Sequence, residues 1–584
     1  MGIISVVLLF GFIKSLEAIH CDKIFNYHEN YGYGFDIICE GLSNRNKEML
    51  VDISVSNEIV LTINNSNLSE VTPNLFQNVS KIRFLIIKNS LFVFNPNEYI
   101  FANLLSLEHL IFENTVFSSH NLYVLQDLDK LRELSFVNTN LEIINNGTFR
   151  NLQKIETLTL TNNRFENMSE IPFCELPALK YLHLDRNKVK QVSGNFTSCF
   201  RKKETNLKLN GMRYTILSEN VHQSKSETSL LDLNVSNNQI EFIDNFDWAL
   251  RLRHIDLSNN RLENVSKKIF SILGDLEKLN LENNFIRIID SEAFSGLKNL
   301  KVINLKRNLL NEVVFKNLPN LEEINLGNNN LKPDSLTTFN NLPKLQSLIL
   351  HNNFIKKMPP NNFTSLEVLD LSSNSVILQN SVFKNLGSLK HLNLKNNSLE
   401  NIPVEAFLGL VNLEILDISV NKVEIFENPH VFVDLYNLKI LNMSDNNIQH
   451  LNYDLVKPLR NLQVLDISGN KLQSFQINVI SLLPSLQIIN IRSNLLSCSV
   501  LSKIIVFLKN KHIDYTINEE FEYDKQNIGG IYCKEMSSSV RGLSSPIAII
   551  FLVVAISVFI SFTFYRCLLF SKRRRYFMDE MELI

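Results

Sequence analysis

One eleven-residue pattern constrains this 584-residue chain more than any bulk property. It reads L-x-x-L-x-L-x-x-N-x-L. Clear copies stand at Leu179, Leu182, Leu184 and Asn187, at Leu276, Leu279, Leu281 and Asn284, at Leu389, Leu392, Leu394 and Asn397, and at Leu462, Leu465, Ile467 and Asn470. About 19 copies run from near Leu61 to Asn494, mostly 21–26 residues apart. Repetition at that period means stacked supersecondary units, each too small to bury its own apolar face, rather than several independent globular domains.

Each position has a physical reading. The L-x-L pair predicts a short strand whose alternate side chains point into the stack, so that successive turns build a parallel sheet. The asparagine, at Asn163, Asn187, Asn238, Asn260, Asn284, Asn308, Asn329, Asn353, Asn374, Asn397, Asn421, Asn446, Asn470 and Asn494, falls where the chain turns off that sheet. Its amide carries donors and an acceptor for backbone groups trapped between turns. Ser66, Ser90, Thr115 and Thr139 take its place in the first copies. Nine residues before the middle leucine a phenylalanine recurs, among others at Phe76, Phe101, Phe149, Phe246, Phe270, Phe383 and Phe407, a packing stripe for the far half of the core. Between Leu182 and Leu233, 51 residues apart, Leu207, Leu209, Met212 and Tyr214 read as one degenerate copy dividing the interval into 25 and 26.

The ends carry different signals. Residues 1–18 read as a secretory signal peptide: a short apolar run, then Lys14 and small-residue chemistry at Ala18. Residues 547–565 are uncharged and apolar, and about 20 such residues cross a bilayer as a helix. Arg566, Lys572, Arg573, Arg574 and Arg575 follow, a basic excess that assigns residues 566–584 to the cytosol in a single-pass type I orientation at the plasma membrane. Six of the seven cysteines then fall in an oxidising compartment. Cys21 and Cys39 precede the first repeat and Cys498 and Cys533 follow the last, so each pair closes a terminal cap, 19–58 and 497–535, around repeats spanning 59–496, with a linker at 536–546. Cys174 and Cys199 stand eight residues before Leu182 and Leu207, which aligns them on adjacent turns as a disulfide staple. Cys567, beside the membrane, is a palmitoylation candidate.

The repeats are identified as the leucine-rich-repeat signature, and the flanking cysteines resemble those of extracellular leucine-rich-repeat receptors. The chain resembles Toll-type receptor ectodomains and insect leucine-rich-repeat adhesion proteins, without the Toll-type intracellular signalling domain. The expected fold is an α/β solenoid: a leucine-rich-repeat horseshoe with a parallel concave sheet, disulfide caps and one transmembrane helix. The resemblance implies a receptor or adhesion protein that binds a protein ligand or another cell-surface protein, and signals, if at all, through a partner chain.

A ligand for such a sheet meets its outward residues. In the middle copies the residue between the strand leucines is polar: Asp256, Asn280, Asn304, Asn325, Asp370, Asn393, Asp417, Asp466 and Asn490. In the early copies the face turns apolar at Phe84, Ile86, Ile111 and Val137, which makes these the ligand-contact candidates; a start covered by the cap explains them equally well. Glycosylation sequons occur at Asn64, Asn67, Asn78, Asn146, Asn167, Asn195, Asn234, Asn264, Asn362, Asn396 and Asn442. The tail ends with Asp579, Leu583 and Ile584 in the spacing of an acidic dileucine sorting signal, which implies clathrin-adaptor contact and endosomal cycling; a C-terminal peptide for a PDZ groove is the competing reading. No phosphate-cradling glycine loop, H-E-x-x-H, G-x-S-x-G or clustered His/Cys spacing occurs, so neither an enzyme nor a metal or other cofactor is expected. The net charge of −2 gives no pull toward nucleic acid.

Overall fold

The structure is a computed structural model that describes residues 20–44, 58–95, 98–117, 122–192, 205–209, 212–216, 228–333, 339–358, 363–426, 428–518 and 526–534. It divides into two compact units, which part in sequence between Leu321 and Glu322.

The first unit opens with an antiparallel hairpin, β1 (His20–His28) and β2 (Gly32–Glu40), in which Cys21 faces Cys39 and the two form a disulfide. β2 pairs in parallel with β3 (Glu58–Asn64), the first repeat strand. Nine more parallel strands follow, Phe84–Lys88, His109–Glu113, Glu133–Val137, Thr157–Thr159, Tyr181–His183, Asp232–Asn234, His254–Asp256, Lys278–Asn280 and Val302–Asn304. Leucine pairs with leucine in register, for example Leu134 with Leu158 and Leu158 with Leu182. In each three-residue strand the central side chain is buried and its neighbours are half-exposed, as alternation requires.

The second unit repeats the plan with Glu323–Asn325, Ser347–Ile349, Val368–Asp370, His391–Asn393, Ile415–Asp417, Ile440–Asn442, Val464–Asp466 and Ile488–Asn490, ending on Asp514–Tyr515. Helix α1 (Cys498–Asn510) closes it, capped by the Ser497 side chain, which accepts from the Val500 amide. Its Leu501, Ile504, Ile505 and Leu508 lie on one face at helical spacing and are buried, and Cys498 is bonded to Cys533. Each terminal disulfide thus fastens the element that covers raw core at one end.

Inside the repeats the asparagines do what their chemistry predicts. Asn284, 4 % exposed, donates its amide to the carbonyls of Leu257, Leu281 and Glu282 at 3.0, 3.1 and 3.3 Å. Its oxygen accepts from the Leu262 amide at 3.1 Å, so one side chain stitches two turns. The phenylalanine stripe is buried and stacked: Phe76 on Phe101, Phe246 on Phe270 and Phe294 on Phe315 lie 5.6–5.8 Å apart in the first unit. Opposite the main sheet, on the return side, short strands pair in places, including Asn67–Val71 with Leu91–Phe94 and Asn264–Val265 with Ile288–Ile289.

One expectation is corrected. Tyr181–His183 pairs directly with Asp232–Asn234, so no repeat lies between them. Thr205–Leu209 and Met212–Ile216 pair with each other as an antiparallel hairpin inside an insertion. Among the described residues the main sheets therefore hold eighteen repeat strands, ten in the first unit and eight in the second. The register that aligned Cys199 with Cys174 through Leu207 loses its basis, and Cys199 lies outside the described residues. The leader, the 547–565 segment, Cys567, the tail residues Asp579, Leu583 and Ile584, and the sequons Asn195 and Asn362 lie outside them too. Among the described residues no helix is long and apolar enough to cross a membrane.

Candidate interaction surface

The sheet face of the first unit brings three of the four predicted contact residues together. Phe84 and Ile86 share one strand, and Ile111 is the register partner of Ile86 on the next. Val137 lies one strand further along, paired with Glu113. The patch is bordered by the Lys88–Glu113 ion pair at 2.9 Å.

Phe84 is not bare. Its ring stacks on the imidazole of His109 at 4.1 Å, and Tyr31, from the turn joining β1 to β2, meets it edge-on at 5.6 Å. Tyr31 in turn donates to Glu108 at 3.0 Å and lies under the Arg83 guanidinium at 4.7 Å. Burial, then the hydrogen bond to Glu108, pushes the Tyr31 phenol up to about 12. The cap therefore packs on Phe84, which stays half-exposed like Ile86 and Ile111.

The polar column of the later repeats serves the fold. Asp256 accepts from the Ser258 amide, Asn280 from Glu282 and Asn304 from Lys306, at 2.9–3.1 Å. In the second unit Asp370, Asn393, Asp417 and Asp466 do the same for the amide two residues on, at 2.8–3.0 Å. Each side chain is spent on closing its own turn. Burial pushes the Asp417 carboxyl up, against the hydrogen bonds from Ser419. Two sequon asparagines stand in this column: Asn234 holds the Ser236 amide, and Asn442 holds that of Ser444 while donating to Asp417 at 3.1 Å.

Two further ladders were missed in the sequence. Over five successive repeats the residue just before the strand alternates in charge: Arg83, Glu108, Arg132, Glu156 and Lys180 pair in succession, Arg132 with Glu156 at 3.7 Å and Lys180 with Glu156 at 2.7 Å. Arg253, Glu277 and Lys301 form a second run; burial raises the Glu277 carboxyl, but the Lys301 hydrogen bond and charge outweigh it and hold it low. In the second unit Glu367–Lys390 and Glu414–Lys439 line a groove of about 580 Å³ whose charges neutralise each other. The other ladder is exposed. The residue before each described turn asparagine, and before Ser66, Ser90, Thr115 and Thr139, has positive φ, and asparagine tolerates that region best after glycine. Asn114 donates to Asn89, Asn138 to Asn114 and Asn283 to Asn259 at 2.7–3.0 Å. The signal was present as the doublets Asn162-Asn163, Asn237-Asn238, Asn259-Asn260 and Asn283-Asn284.

Comparison with known proteins agrees with this geometry. A family model described as leucine rich repeat matches residues 129–189, 251–310, 309–355, 364–423 and 428–472. Among solved structures, a leucine-rich-repeat protein of Leptospira interrogans superposes with a TM-score of 0.53 at 23% identity, over 71% of this chain and 91% of that one. Toll in the Drosophila Toll–Spätzle complex gives 0.57 at 18% identity, over 83% of this chain and 66% of that chain. A search of curated protein sequences finds no match.

Proposed function

Because the chain is a leucine-rich-repeat protein, we propose that it binds another protein through the sheet face of its first unit, as a cell-surface receptor or adhesion molecule. One observation carries this reading. From β3 to Tyr181–His183 the middle outward column is Thr62, Ile86, Ile111, Ser135, Thr159 and His183, none of them the Asp or Asn that later repeats commit to turn closure. Apart from the buried Ser135 that column is half-exposed and open to a partner, and its Ile86–Ile111 centre offers apolar area inside a charged rim, the anatomy of a protein contact. The Drosophila Toll structure is a complex with Spätzle, which supports the same class of activity here.

The two cap disulfides fit an oxidising compartment. A leader at 1–18, an apolar span at 547–565 and the basic cluster after it fit type I display at the plasma membrane. The tail ending Asp579-Glu580-Met581-Glu582-Leu583-Ile584 supports a second reading, an accessory receptor that internalises its ligand through a clathrin adaptor.

The test stains a panel of cells with a tagged ectodomain, residues 19–535, and compares it with a variant carrying Ile86→Arg and Ile111→Arg. Saturable staining that the double variant loses supports the reading. Equal staining by a folded double variant overturns the assignment of this face.

A further inference from the structure

We propose that Asn264 carries an N-linked glycan whose first sugar covers an apolar strip on the return side of the first unit; this rests on the secretory reading above. The strip is Phe242, Phe285 and Ile288, which are 55 %, 53 % and 65 % exposed. Exposed apolar side chains that group together mark a surface that something contacts. The sequon Asn264-Val265-Ser266 stands among them. Asn264–Val265 pairs in parallel with Ile288–Ile289, so Asn264 is the register partner of Ile288. Val265 is 2 % exposed, and alternation along the strand turns Asn264 outward, where it is exposed. The pairing Leu233↔Ile255 sets an offset of 22 residues between these repeats, and the same offset takes Phe242 to Asn264. The asparagine therefore stands between two exposed apolar side chains in one column.

Neighbouring strands lie about 4.8 Å apart, close to the width of a pyranose ring. N-acetylglucosamine has an apolar C–H face, an acetyl methyl and a hydroxyl rim, so it can lie on Ile288 and Phe285 and present its polar edge to water. The exposed sequon Asn67 has an apolar neighbour on one side: its register partner is the half-exposed Leu91, next to Val116, which is 49 % exposed. The transfer uses a lipid-linked oligosaccharide diphosphate. The anomeric C1–O bond to the diphosphate breaks, C1 bonds to Nδ2 of Asn264, one amide proton leaves and the lipid diphosphate departs.

The test expresses the full chain in eukaryotic secretory cells, maps its glycopeptides and measures the fraction reaching the surface. Asn264 is expected to be occupied, and Asn264→Gln to lower surface delivery several-fold. Adding Phe285→Gln and Ile288→Thr, neither of which creates a sequon, to Asn264→Gln is expected to restore delivery, which loss of a purely quality-control glycan would not show. Occupied sequons elsewhere with Asn264 bare, or a double-strip variant that fails to rescue, overturn the inference alone. A chain with no occupied sequon overturns the secretory reading together with it.

Discussion

Replacing Asn284 by alanine tests the physics of the repeat at one side chain. Its amide supplies two hydrogens to carbonyls of two turns and its oxygen accepts the Leu262 amide, all at a position only 4 % exposed. Alanine leaves the Leu262 amide buried without its acceptor, while the Leu257 and Leu281 carbonyls keep the Asn260 and Asn308 amides but lose the bond that joins the two turns. At about 1 kcal/mol for each of three lost bonds, the cost is about 3 kcal/mol. One decade in an equilibrium constant is about 1.4 kcal/mol, so local opening should rise on the order of a hundredfold. Because each repeat contacts its neighbours alone, the loss should be local. Hydrogen exchange of the Leu262 amide in the ectodomain reads it directly. The control is Asn283→Gly, one residue away. Asn283 is exposed, has φ +54°, and makes one solvated bond to Asn259, so glycine should cost only a few tenths of a kcal/mol. Protection at Leu262 within about twofold of the wild type in Asn284→Ala, under about half a kcal/mol, would refute the reasoning. So would equal damage from Asn283→Gly.

Other outcomes follow from the same structure. Val420 sits at φ +54°, which a β-branched residue tolerates poorly; Val420→Asn should stabilise the second unit by about 1 kcal/mol in denaturant unfolding. Removing the Cys498–Cys533 bond with paired serines frees a loop with a sequence separation of 35 and should cost about 2–4 kcal/mol, with α1 losing protection first. The Tyr31 phenol is raised from 10.0 to about 12, so its contribution to the cap is whole below pH 10 and fades as pH rises toward 12. Absorbance titration should show a late-ionising tyrosine that Tyr31→Phe removes; an unchanged curve would count against the packing described. Leu583→Ala with Ile584→Ala should raise surface levels if the tail is an adaptor signal, and an unchanged uptake rate would rule that reading out.

The repeat was legible because its spacing encodes the fold directly: buried Leu158, Leu182 and Leu279, the stitching Asn284 and the stacked Phe246–Phe270 all fall where periodicity put them. The 205–216 stretch misled because Leu207, Leu209, Met212 and Tyr214 alternate as a repeat strand does. Alternation reports a strand, not its partner. The Asn210-Gly211 doublet between the two halves was the available hairpin signal. The turn-closing role of the polar column was not legible because its partners, such as the Ser258 amide for Asp256, lie two residues away on the backbone and leave no mark in hydropathy. Packing of Tyr31 on Phe84 joins residues 53 positions apart, beyond any local pattern.

The central claim is that the sheet face of the first unit meets a protein partner. A glycan wedge tests it most directly: Ile111→Asn with Glu113→Thr creates a sequon on that face, and its effect on ectodomain staining of cells is compared with wild type. The account predicts that the occupied wedge abolishes staining while the protein stays folded and secreted. Full staining with the wedge occupied would contradict it.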